Sequence, residues 1–200
     1  MAYQTSSGNY FTVPRNYNVA DLSIAFWVYR TGSGTAAGLW EDSGSVYQWL
    51  ISFSGSGGGT VAFYTTTSQV TSPIGTPITA NTWIHFCITR DGSATKMYVN
   101  GTENRSVAFT GTLASRTASF GIGARQAGSD AFGGYLAEFA TWTRALTASE
   151  VASLGDGFKA SRIPKPDIYI PLVREKIDVA NAYAITTTGS PTVQPHPRVY

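Results

Sequence analysis

Along much of the chain, apolar positions alternate with polar or small ones at a period of two, the pattern of half-buried strands. In residues 21–30, Leu22, Ile24, Phe26 and Val28 share one face, and Ser23, Ala25, Trp27 and Tyr29 the other. Runs at 46–53 and 60–66 follow, joined by Ser54-Gly55-Ser56-Gly57-Gly58-Gly59, which reads as a hairpin tip. Over 82–90, Ile84, Phe86 and Ile88 alternate against Trp83, His85 and Cys87. Asp91-Gly92-Ser93-Ala94 then turns the chain into 95–99, and Asn100-Gly101 turns it into 102–109. An Asn-Gly pair between alternating runs predicts a type I′ hairpin, because that turn needs two consecutive residues at positive φ. Further strands are expected at 117–123 and 135–143.

The pattern breaks once. Thr147-Ala148-Ser149-Glu150 is a capping box, followed by Val151 and Leu154 on one face and Gly155 as a stop, so a short helix is expected near 147–154. Six of the nine prolines fall in the last 37 residues. Proline is confined to edges and bulges of sheets, so an arm over 159–200 should run along the outside, with 168–173 and 182–187 each able to add a strand. With no internal repeat and no long linker, a single domain is expected over 1–200.

Composition narrows the class. The chain has 200 residues, of which 25 Thr, 20 Ser and 21 Gly make up a third, while charged residues are only 13%. That excludes a coiled coil or helical bundle, and a hydrophobic fraction of 42% with net charge +2 argues against disorder. A chain of this size buries roughly 70% of its unfolded surface and needs no metal or disulfide staple. The expectation is an all-β protein. Ten of the 14 basic residues are Arg, but they are scattered, which leaves no footprint for nucleic acid. No apolar run approaches the ~20 residues that span a bilayer, so no membrane insertion is expected. Met1-Ala2-Tyr3-Gln4-Thr5 opens without a basic or apolar leader, so no signal peptide is visible. Cys87, the single cysteine, reads as a buried, inert thiol.

Four segments, in order, resemble the laminin G-like or concanavalin A-like jelly-roll superfamily, in its pentraxin-related form. They are Gly8-Asn9-Tyr10-Phe11-Thr12-Val13-Pro14; Asp21-Leu22-Ser23-Ile24-Ala25-Phe26-Trp27-Val28; and the meander Thr82-Trp83-Ile84-His85-Phe86, Asp91-Gly92-Ser93, Met97-Tyr98-Val99-Asn100-Gly101. The fourth runs from Gly134-Tyr135-Leu136-Ala137-Glu138-Phe139 to Thr143-Arg144-Ala145-Leu146-Thr147-Ala148-Ser149-Glu150. The resemblance implies two antiparallel sheets packed face to face as a jelly-roll sandwich. Tyr169-Ile170-Pro171-Leu172, Gly189-Ser190-Pro191 and His196-Pro197-Arg198-Val199 are similar to the endings of such domains in phage and prophage structural proteins.

Glucanases of the fold pair acids at i, i+2 on one strand; no strand here holds such a pair, so no enzyme is expected. Two histidines and one cysteine supply neither a zinc site nor a nucleophile triad. Relatives bind Ca²⁺ at one rim of the sandwich; the loop acids available for that are Glu41, Asp42 and Asp130, and Ala137 stands where the family often has an acid before Glu138. Glu138 alternates with Leu136, Ala140 and Trp142, which points it inward, paired with Arg144 or Arg125. Trp40, Tyr47, Trp49 and Tyr64 flank the Gly/Ser-rich hairpin and form a candidate platform for sugar rings, whereas Trp27, Trp83 and Trp142 read as structural. Pro191, Pro195, His196, Pro197, Arg198 and Tyr200 form a candidate docking arm. The expected function is a non-catalytic structural or binding module on a virion surface, meeting other virion proteins, with a homo-oligomer as a further expectation. The alternative is a lectin for cell-surface glycans, with or without Ca²⁺.

Overall fold

A computed structural model describes residues 2–6, 8–41, 46–54, 58–64, 69–73, 78–115, 119–125, 128–172, 177–196 and 199, with backbone alone at 38–41, 46–47, 64 and 69–73. Two antiparallel sheets pack face to face as a jelly-roll sandwich. The first sheet runs in the order β10 (Thr102–Ala108), β9 (Ala94–Val99), β8 (Trp83–Asp91), β3 (Asp21–Arg30), β12 (Gly134–Trp142), β1 (Ala2–Thr5), β15 (Val193–Gln194), and β13 (Ile168–Ile170) also pairs with β12. The second runs β14 (Thr186–Thr188), β2 (Tyr10–Val13), β11 (Phe120–Ile122), β4 (Gly34–Glu41), β5 (Val46–Phe53), β6 (Gly59–Tyr64), β7 (Gln69–Pro73).

The alternation sorts residues onto faces as read from the sequence. Leu22, Ile24, Phe26 and Val28 of β3 and Ile84, Phe86 and Ile88 of β8 enter the core between the sheets. There Phe26 lies 5.8 Å from both Phe86 and Phe139, and Phe53 reaches across from β5 to Phe86 at 5.5 Å. The Asn100-Gly101 turn has φ of 47° and 77°, as a type I′ hairpin requires. Asp91 accepts from the Ser93 and Ala94 amides and from the Ser93 hydroxyl, which holds its carboxyl down to about 2.

The outer face of the first sheet is also covered. Helix α1 (Ala148–Gly155) buries Val151 and Leu154 over Cys87, Tyr98, Ala140 and Trp142. Its capping box is formed as expected: Thr147 accepts from the Glu150 amide and Glu150 from the Thr147 amide. The expected stop at Gly155 is corrected. Gly155 is still helical, and the left-handed turn comes at Gly157, φ 94°. A side chain at Gly155 would strike the Gly101 backbone, so this glycine serves the close approach of helix and hairpin. Burial pushes the Cys87 thiol upward, which makes it unreactive.

A second correction concerns β12. Its pairing with β3 shifts between Ala137 and Ala140, and Glu138 inside this bulge has φ 53°. The bulge resets the alternation: Leu136 and Phe139 enter the inter-sheet core, whereas Ala140 and Trp142 lie under the helix. Glu138 is buried, and it pairs with neither expected arginine. Its Oε2 accepts from the Tyr169 hydroxyl at 2.5 Å, while Arg144 pairs with Glu150 and Arg125 with Asp130. Desolvation raises the Glu138 carboxyl above its ordinary value. The folded state therefore holds this proton more tightly than the unfolded chain, and stability is lost as pH rises through that window. Glu138→Gln keeps an acceptor for Tyr169 and removes the buried charge. It should be more stable than the parent at pH 7, with the difference closing below pH 4.5, as read from urea midpoints at both pH values.

Candidate functional site

At the end of the first sheet away from the helix, the outer face is aromatic. Tyr29 of β3 stands directly opposite Trp83 of β8 and Tyr135 of β12. Cross-strand partners project to the same side, so the three rings form a row across three strands. Tyr29 lies 5.6 Å from Trp83 at 56° and 5.7 Å from Tyr135 at 66°. One row deeper, Trp27 meets His85 edge-on at 5.5 Å and stands opposite Ala137. Trp27 and Ala137 are buried in one cluster with Ala2, on which Val199 packs, whereas the Trp83–Tyr29–Tyr135 row is half-buried and open to solvent. The row floors a cleft of about 310 Å³, lined by Tyr29, Thr31, Trp83, Tyr135, Gln194 and Pro195.

The C-terminal arm closes one side. It leaves the edge of the second sheet at β14, turns at Gly189 (φ 75°) and joins the edge of the first as β15. The Gln4 amide donates to the Thr192 carbonyl at 2.8 Å, and the Thr192 hydroxyl to Gln4 Oε1 at 2.6 Å. Trp83 Nε1 donates to the Pro195 carbonyl at 3.3 Å, and His196 packs on the Trp83 ring at 6.1 Å. Among the described residues no charged side chain lines the cleft. Beneath it, burial lowers His85 to about 3, so its imidazole is neutral at physiological pH.

The residues expected to matter fall in several places. Trp49 is wholly buried against Phe120 at 5.4 Å, so its place in the platform is corrected: it shares the face of β5 that sends Ile51 and Phe53 into the core between the sheets. The side chains of Trp40, Glu41, Tyr47 and Tyr64 lie outside the described residues, as does Asp42. Asp130 borders a separate polar cleft of about 390 Å³ with Ser33, Ser52, Ser54 and Thr60. Its Oδ2 accepts from Thr35 Oγ1 at 2.8 Å and faces Arg125 at 3.1 Å. A guanidinium on the carboxylate does not suit Ca²⁺, which wants six to eight oxygens, and no three His, Cys, Asp or Glu gather among the described residues. In the arm, Pro191 is buried and Pro195 and His196 lie against Trp83, on the chain's own sheet; Pro197, Arg198 and Tyr200 lie outside the described residues.

The structural role expected of Trp83 is corrected, since it lines the cleft, and Tyr29, Tyr135 and Gln194 are not among the site residues expected from the sequence. One signal was present: Trp83 alternates against the core set Ile84, Phe86 and Ile88, so it belongs to the opposite face.

The fold has relatives of known structure. A candidate carbohydrate-binding protein from Bacteroides ovatus aligns at TM-score 0.69 and 17% identity over 96% of this chain. The chain spans only 61% of that protein's length. A heptameric SAP-like pentraxin from Limulus polyphemus aligns at TM-score 0.65 and 15% identity, covering 94% of this chain and 93% of the pentraxin. Domain 4 of an extracellular GH43 arabinanase from Geobacillus stearothermophilus, solved with arabinotriose, aligns at TM-score 0.56 and 22% identity over 69% of this chain and 68% of that one. No curated protein matches the sequence. The family profile described as the concanavalin A-like lectin/glucanases superfamily matches residues 5–152, which include every strand from β2 to β12 and most of α1. With the two-sheet sandwich in place, and the profile covering about three quarters of its length, the chain belongs to the concanavalin A-like lectin/glucanases superfamily.

Proposed function

We propose that the chain is a non-catalytic carbohydrate-binding module whose ligand stacks on the Trp83–Tyr29–Tyr135 row. The observation that carries this reading is the row itself: three half-buried aromatic rings on one sheet face, flooring a cleft rimmed by a hydroxyl and an amide. Sugar rings present a C–H face that packs on aromatic carbon and a rim of hydroxyls that need short polar partners. The cleft offers both. Its volume sits at the small end of the ~300–1,000 Å³ range of small-molecule sites. The Bacteroides and Geobacillus relatives, by what their structures are described as binding, support the same class.

The non-catalytic part of this reading is supported by the carboxylates whose side chains are described. Glycoside hydrolysis takes two acids about 5–9.5 Å apart across the bond to be cut. Among the described residues no acid lines the cleft. Glu103 faces Lys96, Asp130 faces Arg125, Glu150 faces Arg144 and Asp167 faces Arg15. Asp178 accepts four backbone amides, at Tyr169, Ala180, Asn181 and Tyr183. A virion placement draws no support from these relatives or from the arm, whose described residues are bound to the chain's own sheets.

Calorimetric titration with a panel of neutral trisaccharides, arabinotriose, xylotriose and maltotriose among them, tests the proposal. Binding of at least one is expected, weakened about tenfold or more by Trp83→Ala or Tyr29→Ala, since a centrally placed aromatic anchor is worth ~1.4 kcal/mol or more. Binding that survives both substitutions unchanged would place the site elsewhere.

A further inference from the structure

The arm that closes the cleft lies beyond the residues the family profile accounts for, which end at residue 152. Resting on the reading of the cleft as a saccharide site, we propose that the arm is a working wall of that site: Gln194 is its specificity-determining residue, and the unit it selects is an uncharged sugar.

The argument begins with register. Strand β15 pairs antiparallel with β1, with Ala2 opposite Gln194 and Tyr3 opposite Val193. Directly opposed residues project to one side of a sheet. Ala2 packs on Trp27 and Ala137, on the outer face, whereas Tyr3 belongs to the core between the sheets. Gln194 therefore projects outward, onto the face that carries Trp83, Tyr29 and Tyr135. It lines the cleft and is exposed. A two-residue strand would hold this position weakly alone. The bonds from Gln4 to Thr192 on one side and from Trp83 to Pro195 on the other fix it.

The chemistry of the lining then selects the ligand. A primary amide offers two donors and an acceptor, which suits neighbouring sugar hydroxyls of either polarity. Thr31 adds a hydroxyl at the rim. A uronate, sulfate or sialic acid entering such a cleft gives up hydration and needs a cation in return. The described lining supplies none, nor a carboxylate for an amino sugar. An uncharged pyranose or furanose unit loses nothing that the amide, the hydroxyl and the rings do not replace.

Substitutions at the exposed Gln194 test this in the full chain without touching the core. Gln194→Ala is expected to weaken a neutral trisaccharide about three- to tenfold, the range for one lost neutral hydrogen bond. Gln194→Lys places an ammonium at the wall and is expected to turn preference toward trigalacturonic acid, which the parent binds more weakly than neutral sugars. Parent-level binding of both ligands by both variants, alongside full sensitivity to Trp83→Ala, overturns the role of the arm and leaves the aromatic site standing. Tighter binding in Gln194→Ala identifies the arm as a cover and also overturns the inference, as does a parent that prefers trigalacturonic acid. Neutral-sugar binding that ignores Trp83→Ala and Tyr29→Ala overturns the saccharide reading of the cleft itself. A parent that binds no sugar of the panel overturns both.

Discussion

Lowering the pH from 7 to 4 is expected to remove about 3 kcal/mol of folding stability through His85 alone. His85 is fully buried between Trp27 and the Asn100 turn, and its Nδ1 finds no hydrogen-bond partner among the described residues. Burial without a counter-charge lowers its folded-state value to about 3 from an ordinary 6.5. In the unfolded chain the imidazole takes a proton as pH falls through 6.5, and in the folded protein it does not. The unfolded state thus binds more protons between 6.5 and 3, so stability declines as the solution is acidified across that window. Glu150, held down to about 2 first of all by Arg144, contributes stability that is present above about 4.5 and lost as pH falls toward 2, so most of its loss lies below pH 4. Glu138 acts in the opposite sense over part of the range, since its carboxyl is raised. Urea unfolding of the parent and of His85→Phe at pH 7, 5.5 and 4 separates these contributions. The parent should lose stability steeply and the variant far less; parallel profiles would contradict the neutral, buried imidazole.

The second large effect is expected at Trp142. Its side chain is wholly buried beneath α1, in contact with the cluster that includes Leu146, Val151, Leu154, Ile163 and Tyr169. An eight-residue helix does not hold itself together in water and depends on the face it covers. Trp142→Ala removes the largest side chain of that face and is expected to cost about 3–5 kcal/mol, as transfer and cavity penalties combine. Trp142→Phe should cost much less, because it also removes an indole N–H that has no partner among the described residues. Denaturant midpoints of the two variants decide this, and a loss under about 1 kcal/mol in Trp142→Ala would contradict the account of the helix as a roof on this ring. Where the variant remains folded, saccharide binding should persist, since the aromatic cleft occupies the other end of the sheet.

Much of the sandwich is legible in the sequence because β3 and β8 alternate core-facing Leu22, Ile24, Phe26, Val28, Ile84, Phe86 and Ile88 with the residues of the opposite face, and an Asn-Gly turn joins β9 to β10. Strand β4 is not, since Gly34-Thr35-Ala36-Ala37-Gly38 has no alternation to read; its pairing with β5 and β11 decides it. Strands β1 and β15 are too short to stand out and exist by pairing with each other and with β12. The bulge at Glu138 is equally silent, and one extra residue there was enough to reverse the face expected of Ala140 and Trp142. The site was half visible. Alternation alone sets Trp27, Tyr29, Trp83 and His85 apart from the core-facing residues of β3 and β8. What it does not carry is the register that brings Tyr29 between Trp83 and Tyr135, or the path of an arm that delivers Gln194 to them. Nor does nearness in sequence to the Gly-rich hairpin make a platform: Trp49, four residues before Phe53, is core.

The five tryptophans make the central claim directly measurable. Their indole N–H resonances in a ¹⁵N-labelled sample, followed during titration with the neutral trisaccharide bound best, report separate parts of the molecule: Trp83 in the cleft, Trp27 in the cluster on which Val199 packs, Trp49 in the core, Trp142 under the helix, and Trp40 on β4 of the second sheet. The account predicts that the Trp83 indole shifts first and furthest with saturable dependence on sugar, while those of Trp49 and Trp142 stay in place. A titration in which Trp40 moves and Trp83 does not would contradict it and place the binding site on the second sheet, where β4 pairs Trp40 with Tyr47.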